Sequence, residues 1–107
     1  MSRQPDAHRA LCRSVLAQLD CQAAAIRQST SHPWCSVTFT GARHHVAIAL
    51  GDGGAVARAR ALLAHARSIE FSLPGHIVAD VSARLDMQTA PDTPTLLHIE
   101  ALTVEAA

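Results

Sequence analysis

Apolar and polar residues change period along this chain in a way that outlines six elements. From Asp6 to Gln28, Leu11, Val15, Leu19, Gln22 and Ile26 fall near one stripe, with Cys12 and Leu16 beside it. Arg9, Arg13, Gln18, Asp20 and Arg27 fall mainly elsewhere. This spacing predicts an amphipathic helix, with Asp6 after Pro5 as its N-cap. Ser29-Thr30-Ser31-His32-Pro33 reads as the break that ends it. The period then shortens to two. Val37 and Phe39 alternate with Ser36, Thr38 and Thr40, and Val46, Ile48 and Leu50 alternate with His45, Ala47 and Ala49. A hairpin over Trp34 to Leu50 is predicted, turning at Gly41-Ala42, because a type II′ turn places Gly first. That turn pairs Thr40 with Arg43, Phe39 with His44, Thr38 with His45, and Val37 with Val46. Cys35, Val37, Phe39, Val46 and Ile48 then share one face.

The second half repeats the order without repeating the residues. Asp52 is the expected N-cap of a helix whose apolar side is Val56, Leu62, Leu63 and Ala66, with Ala59 allowing close approach and an end near Ser68. A short extended piece is expected over Ile69 to Leu73. Leu73-Pro74-Gly75-His76 has the Pro-Gly centre of a type II turn. A third strand is expected over His76 to Asp86, with Ile77, Ala79, Val81, Ala83 and Leu85 on one face. Gln88 to Pro94 is a loop. The fourth strand, Thr95 to Glu105, has an untidy period: Leu97 and Ile99 favour one face, Leu102 and Val104 the other, which a bulge or burial on both faces explains.

The order α-β-β-α-β-β predicts a two-layer α+β sandwich. It is the ferredoxin-like order with its first strand moved to the end, a permuted ferredoxin-like arrangement. One four-stranded antiparallel sheet, spatial order 3-4-2-1, carries two helices on one face, in a single domain over residues 1–107. The helices leave the other sheet face open. Ser36, Thr38, Thr40, His45, Ala47, Ala49, Val78, Asp80, Ser82, Arg84, His98, Glu100, Leu102 and Val104 are expected there. Val78, Leu102 and Val104 form an apolar patch, and Ala47 and Ala49 let another layer approach. Ala47, Ala49, Val78, Leu102 and Val104 are thus the expected interface of a homodimer, the commonest closed assembly.

Composition trims the list of functions. Nine Arg balance nine acids. The charge balance disfavours nucleic acid as a partner, since phosphate binding draws on a basic excess. It also weakens the repulsion that keeps copies apart. Cys12, Cys21 and Cys35 have no CxxC pair, so neither a disulfide framework nor a zinc knuckle is expected. With no apolar run of membrane-spanning length and no signal-peptide core, the expected setting is the reducing cytoplasm, with no membrane partner.

The seven histidines are the one excess that can carry chemistry. His44 and His45 are neighbours on a strand and point to opposite faces, so they do not share a metal. His76 and Asp80 are roughly 13 Å apart along a strand. His32, Cys35 and one of His44 or His45 match no zinc spacing. Gly51-Asp52-Gly53-Gly54 lacks the spacing of a phosphate loop and reads as cap and turn. Metal and cofactor are therefore expected to be none. The remaining cluster is Ser82, Arg84, His98 and Glu100. If Ser82 pairs with Glu100 and Arg84 with His98, the four can bind an anion or support acid–base work. The leading expectation is a non-enzymatic binding or assembly module that dimerises through the open face. The alternatives are a small-ligand-binding or enzymatic domain using the four-residue patch, and a subunit of a hetero-complex. A pocket lined by those four side chains favours the second reading.

Overall fold

The computed structural model describes residues 6–65, 71, 73–87, 90 and 92–106. The elements are α1 (Ala7–Leu19), β1 (Ala24–Cys35), β2 (Thr40–Leu50), α2 (Gly53–Ala64), β3 (His76–Asp86) and β4 (Thr95–Glu105). The strands form one antiparallel sheet in the order β1-β2-β4-β3, which is the expected 3-4-2-1 read from the other edge. The arrangement is α+β and consistent with the permuted ferredoxin-like order.

Both helices pack on one sheet face. Leu11, Val15 and Leu19 of α1 are fully buried and meet Val46, Ile48, Leu97 and Ile99 of the two central strands. From α2, Ala55, Ala59 and Leu62 complete the same core, with Val56 and Leu63 half-buried beside them. The small Ala55 and Ala59 bring the helix close to the sheet, as expected of Ala59. Asp6 caps α1 by accepting from the amides of His8 and Arg9, and Asp52 caps α2 by accepting from that of Ala55.

The first helix is shorter than its apolar stripe. It ends at Leu19 because Asp20 takes a left-handed conformation, φ 47°, and closes the helix through its own N–H to the Leu16 carbonyl. Aspartate tolerates that region better than most residues. Ile26, expected on the helix stripe, instead lies on β1 opposite Ile48. The expected break at Ser29 to Pro33 is the middle of β1, and Pro33 is tolerated there because β1 is an edge strand.

The hairpin is also corrected. Its turn spans residues 36–39, where the Ser36 hydroxyl accepts from the amides of Thr38 and Phe39, and Cys35 pairs with Thr40. The four pairings expected about Gly41-Ala42 are therefore absent. Gly41 sits inside β2, opposite Trp34 on one side and Val104 on the other. A Cβ there would lie 1.8 Å from the Thr103 carbonyl oxygen, so the glycine serves strand approach rather than a turn. Val37 and Phe39 are consequently exposed at the hairpin tip instead of buried. Ser36 and Thr38 belong to the turn rather than to the open face.

The second hairpin keeps its expected boundaries, and its register has a bulge on β3 between Val78 and Asp80. One extra residue reverses the alternation. Ile77 is 58% exposed, whereas Val78 pairs with the buried Thr103 and packs against the core. The expected interface residue Val78 thus faces the helices. β4 itself alternates regularly: Leu97, Ile99, Ala101 and Thr103 face the core, and His98, Glu100, Leu102 and Val104 the open side. Gly75, φ 78°, and the His76 N–H to Leu73 carbonyl bond form the expected turn before β3. The expected helix end at Ala66 to Ser68 and most of the extended piece from Ile69 lie outside the described residues.

Candidate functional site on the open sheet face

Register alone brings the candidate side chains together. Across the sheet from β1 to β3, one row of the open face reads Gln28, Ala47, His98, Arg84. The next reads Thr30, His45, Glu100, Ser82, and the third His32, Arg43, Leu102, Asp80. The fourth is apolar: Trp34, Gly41, Val104, Ile77. Ser82 faces Glu100 and Arg84 faces His98, the register on which the four-residue cluster depends.

These four, with Ala83, line a recess of about 180 Å³. A neighbouring recess of about 280 Å³ shares Ser82 and Glu100 and extends over Thr30, His32, Arg43, His45, Asp80 and Leu102. A histidine pair joins the two. His45 Nε2 and His98 Nδ1 are 2.9 Å apart, and the rings stack with centroids 5.1 Å apart and planes 8° from parallel. Ala47, opposite His98, has no bulk to block that approach. His98 Nε2 is buried without a hydrogen-bond partner among the described residues; the nearest acid, Asp86, stays 3.9 Å away. Burial lowers the His98 pKa below the ordinary value, Arg84 and His45 lower it further, and Asp86 and Glu100 oppose them. His98 is therefore neutral at neutral pH, with Nε2 buried among the side chains that line the recess.

Neither Arg84 nor Glu100 makes a side-chain hydrogen bond or ion pair among the described residues. The recess thus offers a guanidinium fork, a hydroxyl and an imidazole beside one carboxylate. No group of three His, Cys, Asp or Glu able to hold a metal occurs among the described residues. His32, Cys35, His44 and His45 do not converge: Cys35 is exposed at the hairpin end, and the two histidines face opposite sides. The expected interface residues divide. Ala47, Ala49, Leu102 and Val104 are on the open face, Ala47 only 3% exposed, while Val78 is not there.

Two features were missed in the sequence. Trp34 alternates with Thr30 and His32 and so shares the open face, where its Nε1 is buried without a hydrogen-bond partner among the described residues. The other is a polar chain on the helix side. Thr103 Oγ1 donates to the Ala42 carbonyl at 3.4 Å and lies 2.8 Å from His44 Nε2. His44 is 3% exposed, and burial, with His8 and His76 nearby, pushes its pKa down to about 4 against a weaker pull from Asp6. The neutral ring therefore donates through Nε2 to Thr103 and accepts at Nδ1 from His8 Nδ1, 3.0 Å away. His8 Nε2 is left to accept from the Cys12 thiol at 3.8 Å, and burial raises the Cys12 pKa, which keeps it a thiol. This chain ties α1 to β2 and β4. The His-x3-Cys spacing of His8 and Cys12 on one helix face was its only sequence signal.

Fold and site define a two-layer α+β arrangement with a polar recess on its uncovered sheet face. Comparison with known proteins returns nothing further: no family model, no curated protein and no solved structure matches the chain.

Proposed function

We propose that this chain is a small-ligand-binding domain whose site is the recess on the open sheet face. One observation carries the reading: Ser82, Arg84, His98 and Glu100 line a single recess, with a buried imidazole nitrogen that has no hydrogen-bond partner among the described residues. Both recesses are smaller than the roughly 300–1,000 Å³ of drug-sized sites. The ligand is accordingly compact and held by charge and hydrogen bonds more than by apolar burial. Ligand-observed magnetic resonance with a small-molecule set tests this. Hits are expected to vanish in the His98→Ala, Glu100→Ala double variant while its far-ultraviolet circular dichroism stays unchanged. Hits retained by that variant would remove the reading.

A second reading, homodimerisation through the same face, is supported by the apolar row at one end of it. Trp34, Leu102, Val104 and Ile77 supply an apolar end of the face, and the Trp34 N–H seeks an acceptor. Three unpaired cysteines, Cys12, Cys21 and Cys35, are in keeping with a reducing, cytoplasmic setting. No helix among the described residues is long and apolar enough to cross a membrane. Light scattering at micromolar concentration is expected to give twice the chain mass; a monomer would end the dimer reading and leave the ligand reading intact.

A further inference from the structure

We propose that the recess takes a small zwitterion, a ligand carrying a carboxylate or similar anion and an ammonium group a few ångströms apart, as a free amino acid does. The proposal rests on the ligand-binding reading above. Arg84 and Glu100 stand on adjacent strands one diagonal step apart, Arg84 opposite His98 and Glu100 opposite Ser82. Such neighbours are ~7–8 Å apart at Cα, within reach of one another's charged ends. Neither side chain nevertheless has a hydrogen bond or ion pair among the described residues. Both charges are presented to whatever enters the recess.

Charge matching then selects the ligand. A simple anion at Arg84 meets the carboxylates of Glu100 and Asp86, and a simple cation at Glu100 meets Arg84. Like charges brought together oppose binding, so each half-ligand is selected against. A zwitterion satisfies both: its anion takes the planar guanidinium fork, which suits two oxygens, and its ammonium takes Glu100. His98, opposite Arg84, and Ser82, opposite Glu100, line the same recess at its two ends. Because burial and Arg84 keep His98 neutral, it adds no second positive charge to the recess. The volume agrees. About 180 Å³ is the share of about six waters at ~30 Å³ each, room enough for a free amino acid.

Isothermal calorimetry at neutral pH, using each of the free α-amino acids, acetate, methylammonium and inorganic phosphate, decides the matter. The best amino acid is expected to bind at least about tenfold tighter than acetate, phosphate or methylammonium, the scale of one charged hydrogen bond. Arg84→Gln and Glu100→Gln are each expected to weaken it about tenfold or more. Both residues are exposed, so both variants keep their fold, which circular dichroism checks. Acetate or phosphate binding as tightly as every amino acid would overturn the zwitterion and leave the recess a binding site. Absence of binding by the whole panel would overturn the zwitterion as well, and hits in the broader screen above would then show that the recess itself survives.

Discussion

His44 and His45 are neighbours in sequence, and the pleat sends them to opposite faces of β2, where each stacks on a second histidine. On the helix side His44 is locked between His8 and Thr103. Thr103→Val keeps the shape and removes the acceptor of a buried N–H; a loss of about 1–3 kcal/mol in urea denaturation is expected. The bond order also fixes the His44 tautomer, with the proton on Nε2, which long-range nitrogen–proton spectra read directly. Its proton affinity has a thermodynamic consequence. The unfolded chain protonates His44 near pH 6.5, whereas the folded one resists until about pH 4. The unfolded state binds more protons between those values, so stability is complete above pH 6.5 and lost as pH falls from 6.5 to 4. A shift of this size is worth on the order of 3 kcal/mol. His98 is shifted in the same direction and adds to the slope. Denaturation midpoints at pH 7 and pH 4.5 are expected to differ in the wild type and to differ by less in His44→Leu.

At the scale of elements, two glycines make opposite demands. Gly41→Ala drives a Cβ against the Thr103 carbonyl and is expected to cost more than ~3 kcal/mol or prevent folding, as an overpacked contact with backbone does. Gly53→Ala meets nothing within 4 Å at the start of α2 and is expected to be neutral or slightly stabilising. Thermal melts of the two variants measure both. Gly41 also explains how the first hairpin was misread. Gly41-Ala42 satisfies the local chemistry of a II′ turn, and only the approach of β4, remote in sequence, gives the glycine another purpose. β1 was lost for a related reason. As an edge strand it is mostly exposed, so its pattern carries little apolar alternation, and Ile26 happens to extend the four-residue spacing of Leu11, Val15 and Leu19. The faces of β2 nonetheless survived the misplaced turn, because a change of partner leaves the alternation of Val46, Ile48 and Leu50 untouched. β3 and β4 were legible end to end: Pro74-Gly75 marks the start of one, and the two prolines at 91 and 94 separate their sequence patterns. Only the bulge at Val78 to Asp80 was hidden, since a pleat reversal leaves no distinct residue type.

For the whole molecule, the shifted turn and the bulge have unequal consequences. The structure spans 47 × 22 × 22 Å, and its apolar interior is confined to the helix side of the sheet. The cluster Ser82, Arg84, His98 and Glu100 was readable because it lies beyond the bulge, on two strands whose pairing the sequence specifies. His45, which completes it, was assigned to the open face, but its partner depended on the β2–β4 pairing, which no local pattern encodes. Trp34 was hidden by the misplaced hairpin. The apolar interface was the weakest part of the expectation, because one residue of slip at Val78 moves a large side chain from one face to the other.

Chemical-shift mapping tests the account most directly. Uniformly nitrogen-15-labelled protein is titrated with the tightest ligand of the amino-acid panel or screen, and amide shifts are followed residue by residue. Shifts concentrated at Ser82, Arg84, His98 and Glu100, with smaller ones at His45 and Arg43 and none along the outer faces of α1 and α2, are expected. Shifts centred on the helices or the hairpin tip, with the four recess amides unmoved, would contradict the assignment of function to the open sheet face.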